Sequence, residues 1–139
     1  MQHRLIIGFV VLFASASFAS AAEAPLYPTE DCSKEVAQMA INACTQDNLD
    51  AANSALNGLY RKVMAHLADP QAKEQLKQTE RAWVAAKDKA CKTEAAEDEG
   101  GSIQAMDYNL CEIGKTDARI GELEKMAGCT GSASACNPK

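Results

Sequence analysis

This 139-residue chain is poor in the residues that catalysis and metal binding need. It has 2 histidines, one of them His3 at the extreme N-terminus, and its 6 cysteines include no C-x-x-C pair. Zinc sites are built from closely paired Cys or Cys/His ligands, so no metal and no cofactor is expected. Nucleophilic catalysis needs a base held beside the nucleophile, and His66, near a helix end, has no partner set around it. An enzyme is therefore not expected. Past the N-terminal segment there is no period-2 alternation of β-branched residues, which leaves a sheet without support. A surplus of positive charge is missing too: 14 Lys and Arg stand against 19 Asp and Glu. Discounting Arg4, which falls in the segment discussed next, the formal charge is −6. That balance argues against nucleic acid and anionic membrane surfaces as partners and favours a basic one, although a small negative charge also simply keeps a protein soluble.

Only one long apolar run is present. Arg4 and then Leu5 to Phe13, followed by small residues through Ala19-Ser20-Ala21-Ala22, make the n-region, h-region and cleavage pattern of a secretory signal over residues 1–22. The run is too short to span a bilayer, and no cysteine follows the cut to take a lipid anchor. The expected product is a periplasmic or secreted protein with no membrane insertion, in an oxidising compartment. Residues 23–33, which contain Pro25 and Pro28, read as an extended leader, residues 34–128 as one helical domain, and residues 129–139 as a small, polar, Cys-containing tail.

Within the domain the apolar residues recur at helical spacing. Leu49, Ala52, Leu56, Leu59, Val63 and Leu67 form the stripe of a first helix over about Lys34 to Ala68. Asp69-Pro70 ends it and starts the next, because Asp caps a helix N-terminus and Pro is tolerated at the first helical position. So short a link predicts a hairpin of the two helices. The second helix carries Ala72, Leu76, Thr79, Trp83, Ala86 and Ala90, which places the single tryptophan in the core facing the first. Acidic residues crowd its C-terminal end, where the macrodipole disfavours them, so it should fray before Gly100-Gly101. Ser102 is the expected cap of a third helix with the stripe Ile103, Met106, Leu110, Ile113, Ile120 and Leu123, ending at Gly128. The fold class is all-α: a monomeric three-helix antiparallel bundle of hairpins stapled by disulfides.

Six cysteines in a short exported chain read as a disulfide framework with fifteen possible pairings. Cys91 and Cys111 lie at similar distances on either side of Gly100-Gly101, so a hairpin brings them level and favours that pair. Cys32–Cys44 and a tail bridge Cys129–Cys136 are weaker expectations. Pairing of Cys44 with Cys91 stays open.

Taken together, Cys32 and Cys44, Leu49-Asp50, Leu56-Asn57 with Tyr60, Arg81-Ala82-Trp83 leading to Asp88 and Cys91, then Cys111 with Thr116 and Arg119, resemble the LprI-like lysozyme-inhibitor family. Two positions depart from the family pattern. Glu80 stands where Gln is usual, and Lys87 where Arg is usual; Lys lacks the planar fork of Arg, so a carboxylate clamp there would be weaker. Cys129 and Cys136 lie outside the pattern. The resemblance implies an exported inhibitor with a basic lysozyme as its partner, acting by stoichiometric binding. The alternative is a non-catalytic envelope or stress module with another ligand, because a shared fold does not by itself carry function.

Two groups of polar residues are candidates for a role. Asp50, Asn57, Arg81, Asp88, Thr116 and Arg119 belong to the family pattern beside apolar stripes, and a structural network that fixes helix register is expected of them before a binding role. Glu94, Glu97, Asp98 and Glu99 crowd the second corner. They would steer and contact a basic lysozyme, with simple solvation of a helix end as the competing reading.

Overall fold

The computed structural model describes residues 27–128. The proposed signal segment, the first residues of the leader and the expected Cys129–Cys136 bridge lie outside the described residues. Three helices run up, down and up: α1 (Gln38–His66), α2 (Pro70–Ala95) and α3 (Gln104–Met126). Single 3-10 turns stand before α1 (Cys32–Lys34) and after α2 (Ala96–Asp98). Among the described residues no strand is present, and no helix is long and apolar enough to cross a membrane.

Local chemistry sets most of the boundaries. The Asp69 side chain accepts from the Gln71 N–H and Pro70 opens α2, as the dipeptide predicts. Helix α2 tightens into its 3-10 turn at Ala96, and Gly100, with φ of 77°, makes the reversal that a side chain would strain. Gly128 ends α3 in the same left-handed conformation. Two starts differ from expectation. Helix α1 begins at Gln38 rather than near Lys34, with no side-chain cap, and a separate 3-10 turn capped by Asp31 precedes it. Ser102 does not cap α3. Its carbonyl accepts from the Asn42 side chain instead, and the Gln104 side chain reaches back to the Gly100 N–H.

The core follows the α1 stripe. Leu49, Ala52, Leu56, Leu59 and Val63 are buried, and the last four join Tyr27, Leu76, Ile120 and Leu123 in one cluster. Leu123 is fully buried, so cutting it to Ala would cost about 2–5 kcal/mol. Trp83 packs at the margin of that cluster, half-buried. Helix α3 is the element that packs against both others, while α1 and α2 touch little despite their short link. The expected α1–α2 hairpin is therefore open, and Thr79, Ala86 and Ala90 on α2 are exposed.

The α3 stripe shows the largest difference. Ile103 and Leu110 are exposed, and the buried line runs instead through Asn109, Glu112, Thr116, Arg119, Ile120 and Leu123. These recur at three- and four-residue spacing just as an apolar stripe would. A helix wedged between two others buries a wide sector, and its upper half does so with polar groups paired across the interfaces.

Two disulfides staple the fold. Cys91–Cys111 joins α2 to α3 beneath the acidic corner with Cα atoms 5.5 Å apart, the favoured pairing. Cys32–Cys44 ties the leader to α1 at 5.7 Å. The leader is also held at its other end, where the buried Tyr27 hydroxyl donates to Asp117 Oδ1 at 2.7 Å. Burial and that bond to a carboxylate push the Tyr27 hydroxyl well above the ordinary phenol range.

Candidate functional site: a buried ionic seam, an acidic corner and a groove

The α2–α3 interface is held by charge. Lys87 Nζ meets Glu112 Oε2 at 2.6 Å with both side chains under a tenth exposed, and also approaches Thr116 Oγ1 at 3.4 Å. Two turns along, Arg119 Nε and Nη2 both donate to Glu80 Oε2 at 3.0 and 2.7 Å, while its Nη1 donates to Glu122 Oε2 at 2.6 Å. Trp83 lies between the two cations, with Lys87 Nζ 5.1 Å and Arg119 Cζ 5.9 Å from its ring centroid. Each such contact adds about 0.5–2 kcal/mol depending on desolvation. Among the described residues Glu112 Oε1 is buried with no hydrogen-bond partner at ordinary distance and angle, a gap in the seam.

Of the six polar residues singled out from sequence, the structure brings Thr116 and Arg119 into this seam. Asp88 sits at its edge, half-buried, accepting from Tyr108 at 3.0 Å and paired with Lys92 at 2.9 Å. Hydrogen bonding from Lys92 and then from Tyr108 lowers its carboxyl below the usual range. Burial, followed by the bond to Asp88 and the charge of Glu112, pushes the Tyr108 hydroxyl up to about 12. Asp50 is exposed and accepts from its neighbour Gln46 one turn away. Asn57 and Arg81 are exposed as well, outside the seam. Sequence reasoning missed Glu80, Lys87 and Glu112 as members. Their signal was available in the two departures from the family pattern, at 80 and 87, and in the spacing of Glu112 from Asn109 and Thr116.

Asn57 and Arg81 meet elsewhere. Where α1 and α2 separate, a groove of about 450 Å³ opens. Leu56, Asn57 and Tyr60 line it from α1, and Lys77, Glu80, Arg81 and Val84 from α2. Residues more than twenty positions apart in the chain thus share one concave surface.

At the opposite corner of α2 the acidic residues gather as the sequence suggests, with one addition. Glu94, Glu97 and Glu99 are exposed and Asp98 is half-buried. Asp107, in the first turn of α3, joins them. A hydrogen bond shared with Asp98, then partial desolvation and the charges of Asp98 and Glu94, hold the Asp107 carboxyl above the usual carboxylate range. The corner is firm as well as negative, since Cys91–Cys111 lies in the same helix ends. His66 is at the exposed end of α1 with Nδ1 2.8 Å from the Lys62 carbonyl. Among the described residues no group of His, Cys, Asp and Glu is placed to hold a metal ion.

Comparison with known proteins identifies a family. The family described as lysozyme inhibitor LprI matches residues 29–123, from the second half of the leader through α1 and α2 to the last turn of α3. An uncharacterized protein of Rhizobium meliloti (strain 1021) is 33% identical, over 71% of this chain and 80% of the relative. No solved structure matches significantly. The match spans both disulfides, the ionic seam and the residues of the α1–α2 groove, and the chain belongs to the LprI lysozyme-inhibitor family.

Proposed function

We propose that the protein is an exported, non-catalytic inhibitor that binds a basic lysozyme stoichiometrically through its acidic α2–α3 corner. The observation that supports this most is the convergence of Asp107 with Glu94 and Asp98, strong enough to raise one of the carboxyls. Like charges held that close cost stability, so the corner is better suited to meeting a cation than to standing alone. The disulfide beneath it fixes the carboxylates before any partner arrives, which reduces the ordering cost of binding. Glu97 and Glu99 project from the same turn and extend the field that steers a basic enzyme. Export is supported by the N-terminal signal pattern and by the two disulfides, bonds that persist outside the cytoplasm.

The test is cell-wall lysis by c-type and g-type lysozymes with oxidised protein titrated in at low and high salt. Loss of activity that saturates near one equivalent, weakens with salt, and is abolished by Glu94→Lys with Glu97→Lys and Glu99→Lys would support the reading. Absence of inhibition of both enzymes would move the assignment to an envelope module with another partner.

A further inference from the structure

We propose that the α1–α2 groove binds a carboxylate amphiphile, a single medium-length acyl chain with its head between Lys77 and Arg81. This site is separate from the acidic corner, and the inference does not rest on the lysozyme reading.

The groove has the two parts such a ligand needs. Its floor and wall are apolar: Leu56 is buried at the base, Tyr60 is half-buried beside it, and Val84 leaves 48% of its surface exposed. Its volume of about 450 Å³ falls within the ordinary range of small-molecule sites. Residues 77–84 extend the α2 wall over seven helical steps, about 10 Å, shared by the head at Lys77 and Arg81 and the first carbons of the chain past Val84, a narrow shape that suits a single acyl chain more than a bulky ring system.

Charge then selects the head group. In a chain of net charge −5 the groove lining carries two cations and one carboxylate. That carboxylate, Glu80, is already engaged by Arg119 through two hydrogen bonds. Among the described residues the ion pair of Lys77 is a loose 3.7 Å contact with Glu74, with both side chains about half exposed, a pair of small energetic worth. Arg81 lines the groove, is exposed and has no ion pair among the described residues, so its planar fork is available to a carboxylate. Asn57 faces it from α1 and can donate a further hydrogen bond to an anion. The groove is thus locally positive over an apolar floor, the complement of a basic protein surface reversed. Its occupant is an anion with an apolar body, and lysozyme itself is excluded by the same charge argument.

The probe is decanoate, held below its micelle-forming concentration and titrated into the full oxidised protein. Binding is read by calorimetry and by the emission of Trp83, the single tryptophan, one residue from Val84 on α2. Saturable one-site binding is expected, with the cationic decyltrimethylammonium at least about tenfold weaker because it loses the charge-assisted contact, and the tailless control acetate at least about tenfold weaker because it loses the apolar one. Arg81→Glu should weaken decanoate by about tenfold and Val84→Asp should do the same, both at exposed positions that leave the helical circular dichroism unchanged. No saturable binding, equal binding of the cationic amphiphile, or decanoate affinity untouched by Arg81→Glu would each overturn the assignment. So would tighter binding of a short peptide with a free C-terminal carboxylate, which would give the groove to a peptide.

Discussion

Replacing Lys87 by Met is the most direct probe of how this fold is held. The side chains are similar in length, so the change removes a charge from the seam with little change of volume. Glu112 would keep its burial, lose its 2.6 Å partner, and still have Oε1 unpartnered. A buried ion left without its counter-ion costs about 3–5 kcal/mol, against a total stability of about 5–15 kcal/mol for a domain of this size. At about 4 °C or more per kcal/mol, the melting temperature should fall by about 12 °C or more. The Lys87→Met, Glu112→Leu double variant removes both charges, and with them the desolvation cost and the orphaned oxygen. It should recover to within about 1 kcal/mol of the parent or exceed it. The assay is thermal unfolding followed at 222 nm for the parent, both single variants and the double variant. A Lys87→Met variant within about 1 kcal/mol of the parent would refute the reasoning. Equal instability of the double and single variants would refute it too, because the cost would then be packing and not unpaired charge.

Four further outcomes are expected. Lys87→Arg, which brings the fork that Lys lacks, should reach Glu112 Oε1 as well as Oε2 and stabilise the fold by about 1–2 kcal/mol; a lower melting temperature would mean the seam has no room for the larger head. Removing Cys91–Cys111 as a Ser pair should cost more than removing Cys32–Cys44, because each loop closure contributes about 3 kcal/mol but Cys91 is also fully buried; equal losses in chemical denaturation would contradict this. Tyr108 holds its proton more tightly when folded, so its contribution is complete below pH 10, the ordinary tyrosine value, and declines as pH rises through about 12; denaturation midpoints between pH 9 and 12 should fall, and Tyr108→Phe should flatten that fall. Asp107→Asn should raise the melting temperature by about 1–2 °C at pH 7, and the gain should vanish on acidification once Asp107 is protonated in the folded parent; a loss at pH 7 would show that the carboxyl is a favourable partner at that corner.

Much of the bundle was legible because it depends on local chemistry. The α1 stripe from Leu49 to Val63, the Asp69-Pro70 junction, the Gly100 reversal and the Gly128 stop each follow from backbone or capping preferences of the residues themselves. Cys91–Cys111 was legible for the same reason, since a tight reversal between two helices leaves little choice of level. The α3 face was not. Hydrophobic periodicity selected Ile103 and Leu110, and both are exposed, whereas Glu112 and Arg119 are buried. A charged residue enters a core only where an opposite charge from another helix meets it, and Glu80 and Lys87 do so from positions 39 and 25 residues away in the chain.

The candidate sites divide along the same line. The acidic corner was visible as a run of letters from Glu94 to Glu99, and the third dimension added only Asp107. The groove was invisible, because Asn57 and Arg81 become neighbours only when α1 and α2 part, and that parting is decided by how α3 wedges against both. By itself the sequence determined which segments are helical, where they turn and which cysteines the turn aligns, since those follow from short-range geometry and capping. Tertiary structure alone decided which face of α3 is buried, which charges neutralise one another and where a concave surface remains, because burial and pairing are properties of the helices together.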